Sequence, residues 1–270
     1  PRRLDWLIGR SLIAGGHRTQ RMPIGHDGGM DHVAAYQDAR HRVTELLAKA
    51  PDTVVPATPG WKVRDVVAHL AGLAGDWVGG HLDGYASEEW TAAQVAERSE
   101  RSPGSLAAEW AHHADDLEAL LRDPAGSGIA EPLITAFGPV PAIAWPDIIV
   151  TDLALHEHDI RSAVGVPGAR DSLAVRIAMR SHVGLLRFIG AARGLPNLLL
   201  WPTDHDTTYP IGRGDAEVVL TAPLFELFRA TGGRRSRAQI AGMDWSDDPG
   251  PWAEQLVMPS YSVPDHDLVE

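Results

Sequence analysis

The segment DIIVTDLALHEHDIRSAV, from Asp147 to Val164, constrains the fold more than any other stretch of the chain. Pro146 suits the first turn of a helix, and Gly165-Val166-Pro167 supplies a stop. Asp152 and His156 are four residues apart, so on a helix they project from one face, one turn above the other, and Asp159 extends the same stripe. Ile148, Ile149, Leu153 and Ile160 flank them. The stripe therefore points toward an interior, where ionisable groups are costly unless they are paired or bound to a metal. Such a helix has to pack among others that supply a partner.

The remaining pattern provides those helices. Asp31 to Ala50 repeats Val33, Ala34, Tyr36, Val43, Leu46 and Leu47 at roughly helical spacing. After the linker PDTVVPATPG, the stretch WKVRDVVAHLAGLAGDWVGGHLDGY offers Val63, Val66, Val67, Leu70 and Leu73. A polar gap follows, and then Leu106 to Leu121 sets Trp110, Leu117, Leu120 and Leu121 on one side. Four amphipathic helices with long connections predict a four-helix bundle over residues 30–168. Asp171 to Ala192 reads as a connecting helix leading out of the bundle, within a linking stretch 169–197. A small α+β domain is expected over 198–270, with strands at Leu198-Leu199-Leu200-Trp201 and Ala216 to Leu220, a short helix in PLFELFRATGG and a further strand in RAQIAGM. Met30 reads as a natural start, with residues 1–29 an extension outside the fold. Asp5 and Arg10 break the apolar stretch from Leu4 to Ala14, which makes it a poor signal peptide.

A third ligand beside Asp152 and His156 must come from another helix. His69 lies amid Val66, Val67 and Leu70, on a helix whose apolar side faces the core. One carboxylate and two imidazoles suit zinc or another first-row divalent ion, and three protein ligands leave coordination positions open, as catalytic sites do. The spacing alone favours a hydrogen-bonded core histidine at His69 beside a buried Asp152–His156 pair.

Composition narrows the chemistry. With 24 Lys+Arg against 36 Asp+Glu, the net charge of -12 repels phosphate backbones and anionic lipid surfaces, so neither nucleic acid nor membrane is an expected partner. No apolar run reaches the roughly 18 residues of a membrane span. The count of Cys is 0, which removes disulfides, thiolate zinc ligands and a cysteine nucleophile; any thiol chemistry must use an external thiol, and a reducing cytoplasm is the expected location.

WKVRDVVAHLAG, followed about eighty residues later by DLALHEHDIRSAV, resembles the two metal-binding segments of the mycothiol-dependent maleylpyruvate isomerase family, within the DinB-like helical-bundle superfamily. LFELFRATGGRRSRAQI resembles the signature of the small C-terminal domain found in many of these actinobacterial proteins. The resemblance implies a divalent metal, zinc first, held by His69, Asp152 and His156, with mycothiol as co-substrate. The isomerases proper carry glutamate where this chain has Asp152. A carboxylate one methylene shorter would draw the ion toward the fourth helix.

HEHDI fails the metalloprotease pattern HExxH, because Ile160 stands four after His156. Glu157 and His158 lie on other faces from His156 and read as surface or ligand-orienting groups, while Asp159 and Arg161 could orient the ligands or hold neighbouring helices together. His112, His113, Asp115 and Asp116 read as solvated, and Asp204-His205-Asp206 as turn chemistry. Gly232-Gly233-Arg234-Arg235-Ser236-Arg237 is the one basic cluster: either a solvated turn, or a clamp in which Arg234 and Arg235 bind an anionic group of substrate or thiol. Trp61 is expected to pack on the bundle end, and Trp77, Trp90, Trp110 and Trp145 in the core or at its rim.

The expected function is that of a metal- and thiol-dependent transferase or isomerase acting on a small electrophilic substrate. A metal-dependent hydrolase of the same fold, or a non-catalytic metal-binding regulatory protein, is the alternative.

Overall fold

A computed structural model of the chain describes residues 30–47, 52–136, 138–259 and 261–270; the extension read over 1–29 lies outside the described residues. Four helices form the bundle: α1 (His32–Leu47), α2 (Val63–Gly79), α4 (Pro103–Arg122) and α5 (Trp145–Val164). Their contacts run α2 on α4, α4 on α1, α1 on α5, and α5 back on α2. Each helix buries the stripe its sequence period predicts, for example Val66, Val67, Leu70, Ala71 and Ala74 on α2 and Ile149, Leu153 and Ile160 on α5. Trp77, Trp110 and Trp145 fill the interior, and Trp110 Nε1 donates to Tyr36 Oη at 2.6 Å, tying α4 to α1.

Local chemistry sets the ends. Ser102 caps α4 by accepting from Ser105 N–H, with Pro103 in the first turn. Gly165 closes α5 in the left-handed conformation at φ 65°, which an L side chain would strain.

Between α2 and α4, where the sequence reads as a polar gap, the chain forms α3 (Glu88–Glu97), capped by Ser87 and packed on α2. Gln94 is the buried residue of α3. With no apolar stripe, the helix has no periodic signal. A short hairpin, β1 (Leu133–Thr135) with β2 (Gly138–Val140), precedes α5.

Helix α6 (Leu173–Arg193) lies against both α5 and α1. Beyond it comes a four-stranded sheet in the order β4-β3-β5-β6. Strands β3 (Leu198–Pro202) and β5 (Val218–Ala222) are parallel in its centre, with β4 (Tyr209–Ile211) antiparallel to β3 and β6 (Asp244–Trp245) antiparallel to β5. Helix α7 (Leu224–Thr231) packs on α6 and β3, and α9 (Trp252–Gln255) buries Trp252. RAQIA is not a strand but the helix α8 (Arg237–Ala241), because Ser236 and Gln239 close a capping box at its start. The protein is thus a mainly α four-helix bundle followed by a small α+β part. Among the described residues no helix is long and apolar enough to cross a membrane.

Candidate metal centre

Helices α2 and α5 bring His69, Asp152 and His156 together: one ligand atom from each lies within 4.8 Å of the other two. His69 Nε2 is 3.3 Å from Asp152 Oδ2, and His156 Nε2 is 3.7 Å from Asp152 Oδ1. Both imidazoles are buried, whereas Asp152 is partly open. Asp152 Oδ2 itself is shielded from solvent and has no hydrogen-bond partner. A shielded anionic oxygen with no hydrogen-bond partner beside the His69 ring, on a carboxylate whose other oxygen faces His156, is costly by itself and fits a bound cation. No other cluster of three such residues occurs among the described residues, the His112–Asp116 stretch included.

The far side of each ring is also held. His156 Nδ1 lies 3.1 Å from Asp159 Oδ2, and His69 Nδ1 lies 2.7 Å from Gln94 Oε1. Gln94 Nε2 in turn donates to Asp76 Oδ2 at 2.6 Å. The indole of Trp61 covers both rings, with centroids 5.6 Å from His69 and 6.2 Å, near parallel, from His156. Trp61 is seated by its own backbone: Val55 N–H donates to its carbonyl, and Val63 N–H donates to Thr53, closing the PATPG turn over the start of α2.

Burial works against charge on both partners of the central pair, but their mutual attraction prevails: His69 is raised by Asp152, and Asp152 is lowered by His69 and His156. Asp159 is held well below the usual carboxylate range despite complete burial, by Arg234 and Arg229. Arg229 Nη2 donates to Asp159 Oδ1 at 2.8 Å; Arg234 donates through Nε to Oδ1 at 3.1 Å and through Nη2 to Oδ2 at 2.7 Å.

The basic cluster is therefore not a solvated turn. Arg234 and Arg235 are buried. Arg234 is committed to Asp159 and the Gly232 carbonyl, and Arg235 pairs with Glu226 and Glu270. A clamp for an anionic group of substrate or thiol would have to draw on guanidinium groups already engaged by carboxylates of the chain. Glu157 and His158 are not surface groups either. Glu157 is fully buried and receives Arg42 and Arg161, while His158 packs edge-on to Phe225 and is pulled down to about 2, chiefly by burial. Arg161 thus acts on Glu157 and the Val166 carbonyl, not on a ligand. Asp204 accepts from Leu224 N–H at the start of α7, as turn chemistry predicts.

Gln94 and Asp76 are the neighbours of the site that sequence reasoning passed over, and Trp61, expected to pack on the bundle end, covers the two rings. The cap at Ser87 and the acidic first turn, Glu88 and Glu89, signal the helix that carries Gln94.

No curated protein matches the chain in sequence. The solved structure of the mycothiol-dependent maleylpyruvate isomerase superimposes with a TM-score of 0.59 at 19% identity, covering 88% of this chain and 98% of that one. A mutant of that enzyme, with a histidine replaced by alanine, gives the same values. Residues 33–161 match the family described as Mycothiol maleylpyruvate isomerase N-terminal domain. The segment that contains all three converging side chains therefore belongs to the mycothiol maleylpyruvate isomerase N-terminal domain family, and the chain shares the fold of the solved enzyme across most of its length.

Proposed function

We propose that this chain is a metal-dependent enzyme that uses an external thiol, mycothiol, to isomerise or transfer to a small electrophilic substrate, with His69, Asp152 and His156 as the protein ligands of one divalent ion, zinc first. The observation that carries the proposal is the convergence of three ligand atoms from α2 and α5 around a buried Asp152 oxygen with no hydrogen-bond partner. Three ligands suit an open, catalytic type of site better than a structural one, which four would close. The similarity to an enzyme named for mycothiol favours a thiol over water as the second reactant. The absence of cysteine requires that thiol to come from outside the chain.

When bound, a divalent ion at such a site supplies a positive charge that favours the thiolate form of a thiol. The chain's own contribution is orientation and exclusion of water. Asp159 and Gln94 hold the two rings so that each Nε2 faces Asp152, and Trp61 shields both rings on one side.

Protein purified without a tag is expected to contain close to one divalent ion per chain, and His69→Ala or His156→Ala to lose it. Mycothiol added to the metal-loaded protein is expected to raise its melting temperature. Unchanged metal content in either variant rules out the ligand set. A shift with no thiol would return the hydrolase.

A further inference from the structure

His69, Gly72 and Asp76 stand at positions i, i+3 and i+7 of α2 and share one face. The side chain of Gln94, 2% exposed, lies along that face and touches both polar ends of it. Ionised Asp76 only accepts, so the Gln94 NH2 group points to it, and this fixes the amide's orientation. Gln94 Oε1 then faces the His69 ring and requires an N–H at Nδ1. His69 Nε2 is left as the atom aimed at Asp152 Oδ2, 3.3 Å away. In the neutral ring that nitrogen presents a lone pair to a buried carboxylate oxygen, a juxtaposition that only a cation or a proton relieves.

We infer that Gln94 and Asp76 are positioning residues: a two-link relay that holds His69 with its proton on Nδ1, commits Nε2 to the cation site, and so sets the affinity of that site for a divalent ion. The inference rests on the metal centre proposed above.

The groove is shaped for this side chain. A Cβ at Gly72 would fall 2.8 Å from Gln94 Cβ and 3.0 Å from both Gln94 Cγ and Arg98 Nη1. Arg98 Nη1 donates to the Gln94 carbonyl at 3.1 Å, while Arg98 Nε and Nη2 reach Glu109 of α4, so the end of α3 is anchored as well. The two rings are thus served differently. His156 has a carboxylate that two arginines neutralise, whereas His69 has a neutral amide backed by a carboxylate one step farther away.

The test measures Zn2+ affinity by chelator competition on the full chain, alongside circular dichroism to confirm folding. Gln94→Leu, which keeps the volume and loses the relay, is expected to bind Zn2+ about 10- to 100-fold more weakly, the usual cost of losing a partner of a ligating histidine. Gln94→Glu alone sets two carboxylates against each other and is also expected to weaken binding. Combining it with Asp76→Asn restores a donor opposite an acceptor and is expected to recover affinity to within about threefold of wild type. A merely structural role for Gln94 predicts no such rescue, so a double variant no better than Gln94→Glu overturns the relay, as does Gln94→Leu with unchanged affinity. Should the wild-type protein bind no divalent ion, the proposed function fails and the relay is judged on metal-free protein by nitrogen-15 NMR of the His69 ring. A slowly exchanging Nδ1 proton that is lost in Gln94→Leu supports it. An Nδ1 proton absent from wild type, or indifferent to the change, overturns it.

Discussion

Asp152 and His182 show how differently burial acts on single groups. Asp152 keeps its charge because two imidazoles face it. The family's usual glutamate should be tolerated in its place, so Asp152→Glu is expected to retain the ion in a metal assay, whereas Asp152→Ala is expected to release it. Among the described residues no anionic group acts on His182. It stacks on Phe228, its Nδ1 meets Thr231 Oγ1 at 2.8 Å, its Nε2 is buried without a partner, and burial pulls it down to about 3, with Arg234 adding to the effect. A histidine neutral in the fold but titrating near 6.5 when unfolded adds stability above about pH 6.5, and that stability is lost as pH falls toward 3. Stability should therefore drop by up to about 1.4 kcal/mol per pH unit over that window from this one group. In His182→Phe the slope from urea unfolding between pH 6 and pH 4 should be correspondingly shallower. The central triad was legible from spacing and resemblance, because i,i+4 geometry places Asp152 and His156 together on any helix. Gln94 was not, because a hydrogen bond between residues 25 apart in sequence leaves no local pattern.

Helices with an apolar period were read correctly, and those without were not. Helices α1, α2, α4, α5 and α6 each carry a buried stripe. Helix α3 buries one glutamine, and α8 is a five-residue helix whose RAQIA pattern alternates as a strand would. In α8 the capping box, a feature of hydrogen bonding and not of hydropathy, decides the outcome. The end of α5 rests on Gly165 at φ 65°. A Cβ there meets no neighbouring atom within 4 Å, so the penalty is backbone strain alone. Gly165→Ala is expected to cost about 1–2 kcal/mol, measured as a lower urea midpoint, with metal content unchanged.

At the scale of the whole molecule, the bundle and the α+β part meet through buried charge. Asp31–Glu270 forms one compact unit, and Arg229 and Arg234, from α7 and the turn after it, reach Asp159 on α5. Sequence reasoning left the arginine cluster open between solvent and ligand, since nothing local states that a turn after a glycine stop folds back onto a helix 75 residues earlier. Removing Arg234 takes two of the three guanidinium hydrogen bonds from buried Asp159 and leaves Arg229 as its one remaining arginine partner. Arg234→Met should therefore destabilise the chain by about 3 kcal/mol in urea unfolding, more than the loss of an exposed arginine would. Asp159 also touches His156 Nδ1, so a single carboxylate serves the C-terminal part and the ring of a proposed ligand at once. Where the proposed cation binds, thermodynamic reciprocity follows from that sharing: whatever factor by which its uptake steadies the seating of α7, the seated α7 must return to the cation's affinity.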